Sequence, residues 1–116
     1  MEGINLVLLL GEVSQEPLIT KSGLNGATKL SFVLSVSRTV KATNLYEKLI
    51  VIAYDKVADL AKDKVKIGTE VLIEGRLQST QRDGYLAFAV LANKITVISQ
   101  SDNTTPDKTS VFGLTD

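Results

Sequence analysis

The stretch from Leu49 to Leu77 constrains this chain most, because it changes structural period twice within thirty residues. A dense apolar run, Leu49-Ile50-Val51-Ile52-Ala53-Tyr54, reads as a strand. A short helical pattern from Asp55 to Lys64 follows it. Gly68 is expected to stop that pattern, and a second β-rich run, Thr69 to Leu77, begins. Asp55 is placed to cap the helix, and Val57, Leu60, Ala61 and Val65 form its one apolar stripe. Lys62, Lys64 and Lys66 gather at its negative end.

The rest of the chain is β-patterned. Ile4 to Val13 is almost continuously apolar, which predicts burial on both faces and hence a second subunit against the outer one. Gly11 marks a bend or bulge in it, and Pro17 opens a short edge-like extension through Thr20. Lys21-Ser22-Gly23-Leu24-Asn25-Gly26 is a turn cluster. Strict alternation then sets Leu30, Phe32, Leu34 and Val36 on one face and Ser31, Val33, Ser35 and Ser37 on the other. Arg38 to Asn44 reads as a polar connection, and a strand from Leu45 to Tyr54 turns Tyr46, Lys48, Ile50, Ile52 and Tyr54 outward. Asp83-Gly84 predicts a tight hairpin, followed by a last strand from Tyr85 to about Ile98. Tyr85 and Phe88 fall on opposite faces of it, so at least one belongs to the core, and Glu74 reads as a residue at a strand end.

An all-β chain with one short helix between its third and fourth long strands has the order of a five-stranded OB-fold Greek-key barrel. Residues 1–98 form that domain, and 99–116, rich in Ser, Thr, Asp and Asn, a flexible C-terminal tail. Net charge is zero, but residues 1–98 hold twelve Lys/Arg against ten Asp/Glu, and the tail holds Lys108 against three Asp. The body is therefore mildly basic and the tail mildly acidic. With no Cys and no His, disulfides, thiolate metal sites and the usual general base are absent from the chain. No Gly-rich phosphate loop occurs and the acids are scattered, so no cofactor and no enzymatic activity are expected. The apolar run near the start is too short to span a membrane.

Several blocks, in order, resemble the bacterial-type single-stranded-DNA-binding protein family across residues 4–98. They are Ile4 to Val13 with Glu16-Pro17, then Lys29 to Val36, Lys56 to Ala61, Ile67 to Leu77, and Val90-Leu91-Ala92-Asn93. The resemblance implies sequence-independent binding of single-stranded DNA in replication, repair or recombination, by a homo-oligomer: a tetramer, with a dimer as the alternative. It further implies a bacterial cytoplasm or an organelle stroma or matrix. In that family, aromatic platforms on strands two and three and on the loop between strands four and five hold the strand. Here Tyr54 keeps an aromatic at such a position, while Lys48 and Arg82 stand where tryptophans are usual. The family's acidic tail tip, which recruits replication and repair proteins, is also altered, with Phe112 lacking the usual Pro and acidic neighbours. The family includes degenerate relatives, among them organelle and cyanobacterial versions and the dimeric primosomal replication protein, and with these departures the chain resembles such a divergent member.

The candidate nucleic-acid contacts are Arg38, Lys41, Tyr46, Lys48, Tyr54, Arg82 and Tyr85. Each also has a plainer role open to it: packing for the tyrosines, solvation for the cations. Two rival functions stand beside strand binding: an OB module acting through protein contacts in a replication-restart complex, and single-stranded RNA binding.

Overall fold

The computed structural model describes residues 1–22 and 26–100. The flexible tail expected beyond Ser99, with Phe112, falls from residue 101 on outside the described residues, as does the centre of the turn cluster at 23–25. The elements are β1 (Val7–Val13), β2 (Leu18–Ser22), β3 (Ala27–Val40), β4 (Thr43–Tyr54), α1 (Asp55–Ala61), β5 (Glu70–Arg82) and β6 (Tyr85–Ser99).

The sheet order is β1-β5-β6-β4-β3-β2, and an additional β1–β3 pairing closes five strands into the OB barrel. Closure depends on β1 changing partner. It pairs with β5 from Val7 to Glu12, then with β3 at Glu12↔Ser35 and Val13↔Leu34. Gly11 sits at the change, where a Cβ would lie 2.5 Å from the Ser35 carbonyl oxygen. Beyond Pro17 the chain returns as β2 to occupy β3 farther along, from Leu18↔Ser31 to Ser22↔Ala27.

Alternation along β3 and β4 sorts the side chains as the sequence predicts. Leu30, Phe32, Leu34, Val51 and Ala53 are buried, with Val13, Val71, Ile73, Val90 and Ala92 completing the barrel interior. Each large aliphatic among them contributes about 1.5–3 kcal/mol by leaving water. Helix α1 closes the end of the barrel where β4 stops and β5 begins, through Ala58, Ala61 and the following Val65. Asp59 ties it to the wall. The nearby Thr28 hydroxyl, with Lys62 at 3.7 Å and Lys21, holds its pKa below the ordinary carboxylate value.

Several expectations need correction. The helix ends at Ala61, not Lys64, and its buried stripe uses Ala58, whereas Leu60 is 67% exposed. Asp55 is not a side-chain cap: the cap position falls to Tyr54, without a side-chain hydrogen bond. Strand and helix meet without a loop, and Asp55 takes the reversal at φ +55°, a conformation Asp tolerates better than most residues. Gly68 lies beyond the helix, at φ +90°, donating its N–H to the Val13 carbonyl at 2.9 Å.

The polar connection at 38–44 is also absent. β3 and β4 continue to a two-residue turn at Lys41-Ala42, both at positive φ (50° and 67°). Neither residue is the Gly, Asn or Asp such turns favour, so the turn left no sequence signal. Asp83-Gly84, at φ 53° and 81°, forms the expected hairpin. Tyr85 and Phe88 are 77% and 53% exposed, so neither is core: the β5–β6 hairpin runs past the barrel, where its first rungs meet no facing strand. Glu74 stands mid-strand, opposite Lys94, and not at a strand end.

Candidate nucleic-acid interface

The outer face of the β3–β4 ribbon follows from register alone. Lys29, Ser31, Val33, Ser35, Ser37 and Thr39 stand opposite Tyr54, Ile52, Ile50, Lys48, Tyr46 and Asn44. These twelve positions hold two lysines, two tyrosines and no carboxylate. Tyr54 is 40% and Tyr46 61% exposed, eight residues apart on one strand. At about 3.4 Å per residue the two rings are separated by about 27 Å along β4.

β6 extends the same surface. It pairs in parallel with β4 at Val51↔Val90 and Ile52↔Leu91, so Leu91 continues the outer row of Ile52. Tyr85 shares Leu91's parity and lies as far before Val90 as Tyr46 lies before Val51. Both hairpins therefore project from the barrel end opposite α1, and Tyr46, Lys48, Tyr54 and Tyr85 belong to one side of the molecule.

Arg38 and Lys41 do not join them. Arg38 has the opposite parity from Tyr46, and its Nε donates to Glu47 Oε2 at 2.8 Å. This exposed ion pair is weak, but with the strand parity it holds the guanidinium on the side of the ribbon away from Tyr46. Lys41 is a turn residue at the tip, beyond the end of β4, whose first residue is about 17 Å of strand from Lys48. The backbone of Arg82 faces Tyr85 across the hairpin.

Sequence reasoning passed over Lys29, which faces Tyr54 across the ladder. It is legible once β3 and β4 are set in register, because it shares the parity of Ser31, Val33 and Ser35. A cleft of about 460 Å³ lies beside this face and is bordered by Glu12 and Glu70 as well as Ser35, Ser37 and Tyr46. Its two carboxylates oppose each other in the β1–β5 ladder and repel phosphate. Among the described residues no group of three or more His, Cys, Asp and Glu could hold a metal ion.

An OB barrel with a carboxylate-free, tyrosine- and lysine-bearing ribbon is the class this geometry defines. Residues 4–98 match the Single-strand binding protein family, and the chain belongs to that family. Single-stranded DNA-binding protein 1 of Chlorobaculum tepidum is 33% identical over 86 residues, covering 70% of this chain and 52% of that protein. Single-stranded DNA-binding protein 2 of the same organism is 25% identical over 84 residues, covering 68% and 57%. The chain thus spans little more than half the length of the curated relatives it matches. Among solved structures, the N-terminal domain of the PriB protein from Thermoanaerobacter tencongensis, a dimeric structure, superposes with TM-score 0.62 at 28% identity over 83% of this chain and 98% of that one. The single-stranded DNA binding protein of Thermus aquaticus has TM-score 0.74 at 19% identity, covering 85% and 52%, a likeness of fold alone.

Proposed function

We propose that this protein binds single-stranded DNA, without catalysis and largely without regard to sequence, along the outer face of β3 and β4. The observation that carries this is the composition of that face: exposed Tyr46 and Tyr54 and the cations Lys29 and Lys48, with no carboxylate in either row. Flat rings accept any base by stacking, and lysines answer the phosphates between them. Duplex DNA hides its base faces, so only an unpaired strand gains from the tyrosines. Fewer platforms than aromatic-rich family members carry means weaker binding with a larger electrostatic share.

The work is done by a homo-oligomer. Ile4, Leu6, Leu8 and Leu10 are 96%, 77%, 64% and 51% exposed, and β1 pairs with β3 only at Glu12 and Val13. Four aliphatic side chains beside an open strand edge favour burial against another copy. A tetramer is the arrangement proposed, serving replication, repair or recombination.

Anisotropy titrations of labelled oligo-dT, oligo-rU and a duplex, at low and moderate salt, test the function. Tighter binding of oligo-dT than of duplex at both salts is expected. Equal affinity for duplex, or none for oligo-dT in dilute buffer, would exclude it.

A further inference from the structure

The centre of the proposed binding face is aliphatic, and it carries a cleft that neither tyrosine explains. Ile50 lies midway between Tyr46 and Tyr54, about 14 Å from each along β4, and is 51% exposed. Its register partner is Val33, and the start of β2 sets Leu18, 62% exposed, beside them. Together these three floor a cleft of about 230 Å³, rimmed by Gln15, Glu16 and Ser31. It is smaller than the roughly 300–1,000 Å³ of sites for drug-sized ligands, which suits a single flat ring better than a whole nucleotide.

We infer that this cleft seats one base of the bound strand against Ile50, Val33 and Leu18, between the bases stacked on Tyr46 and Tyr54. The proposal rests on the binding face described above and adds a contact of a different kind. A base ring is apolar on its faces and polar at its edges. The cleft is built the same way, with an aliphatic floor and a rim of amide, hydroxyl and carboxylate. A phosphate does not suit this place, since the Glu16 carboxylate repels it and, among the described residues, no lysine lines the cleft. The strand therefore turns its base inward here and its phosphates outward, toward Lys29 and Lys48 on either side.

The chain has no tryptophan, so a single substitution supplies a clean reporter. In the full chain, emission of the Ile50→Trp variant is expected to be quenched by oligo-dT, while Leu60→Trp on exposed α1 stays unquenched. Ile50→Ala is expected to weaken oligo-dT binding about fivefold, near the low end of base stacking, without changing the salt slope. The proposal is overturned if labelled oligo-dT still binds by anisotropy while the Ile50→Trp reporter is not quenched. It is equally overturned if Ile50→Ala binds as tightly as the unsubstituted chain while Tyr54→Ala is impaired. A chain that binds no oligonucleotide at all instead removes the proposed function, and this seat with it.

Discussion

Replacing Lys48 and Tyr54 one at a time separates the two forces assigned to the binding face. Lys48 stands on the outer row opposite Ser35, and Tyr54 opposite Lys29. Neutralising one phosphate contact lowers the slope of log K against log salt by about 0.7 for a single strand. Between 50 and 200 mM salt that slope amounts to about a 2.6-fold change, so the penalty of Lys48→Ala shrinks by that factor as salt rises. Tyr54→Ala removes one stacked base, about 1–3 kcal/mol or 5- to 150-fold in affinity, and leaves the slope unchanged. Arg38→Ala is the internal control. Its guanidinium bonds Glu47 on the other side of the ribbon, so affinity changes less than about twofold and the slope stays put. Oligo-dT titrations at four salt concentrations, read by anisotropy, give all three numbers. A slope lowered by Arg38→Ala and untouched by Lys48→Ala would refute the assignment of the face.

Other expected outcomes concern the scaffold. Gly75→Ala places a Cβ 2.1 Å from the Leu91 carbonyl oxygen at the β5–β6 register shift, so both backbones must part. About 2 kcal/mol of stability and about 10 °C in Tm should be lost on thermal unfolding, whereas Gly3→Ala, with open space around it, should be silent. Asp59 has a lowered pKa in the folded chain, so its contribution is present above the ordinary carboxylate pKa and lost as pH falls through the depressed value. Asp59→Asn should therefore be less stable than the unsubstituted chain at pH 7 by chemical denaturation, with the two converging in acid; a gap that widens on acidification contradicts this. Leu8→Glu with Leu10→Glu should reduce the mass seen by light scattering, because both side chains lie on the open β1 face. An unchanged mass would remove that face from the assembly.

Much of the barrel was legible because burial here follows simple periods. Leu30, Phe32 and Leu34 alternate, and Asp83-Gly84 announces its hairpin in the residues themselves. The misreadings share one cause: backbone geometry that a sequence states only indirectly. Lys41-Ala42 adopts a turn favoured by glycine and asparagine, so two strands looked shorter than they are. Asp55 serves a kink where a helix cap was expected. Parity sets Tyr85 and Phe88 on opposite faces, but it says nothing of whether another strand covers either face. For the same reason Tyr46, Lys48 and Tyr54 could be grouped from sequence, while Arg38 separates from them only when β3 and β4 are set in register. Lys29 and the cleft at Ile50 required that register too, since each depends on a neighbour from another strand.

Backbone amide shifts recorded during titration with oligo-dT locate the bound strand most directly. The largest changes are predicted at Lys29, Ser31, Ser35, Tyr46, Lys48, Ile50 and Tyr54, with Leu8, Leu72 and Thr96, away from that ribbon, left nearly still. Changes concentrated on that second group, with the β3–β4 ribbon unmoved, would contradict the account.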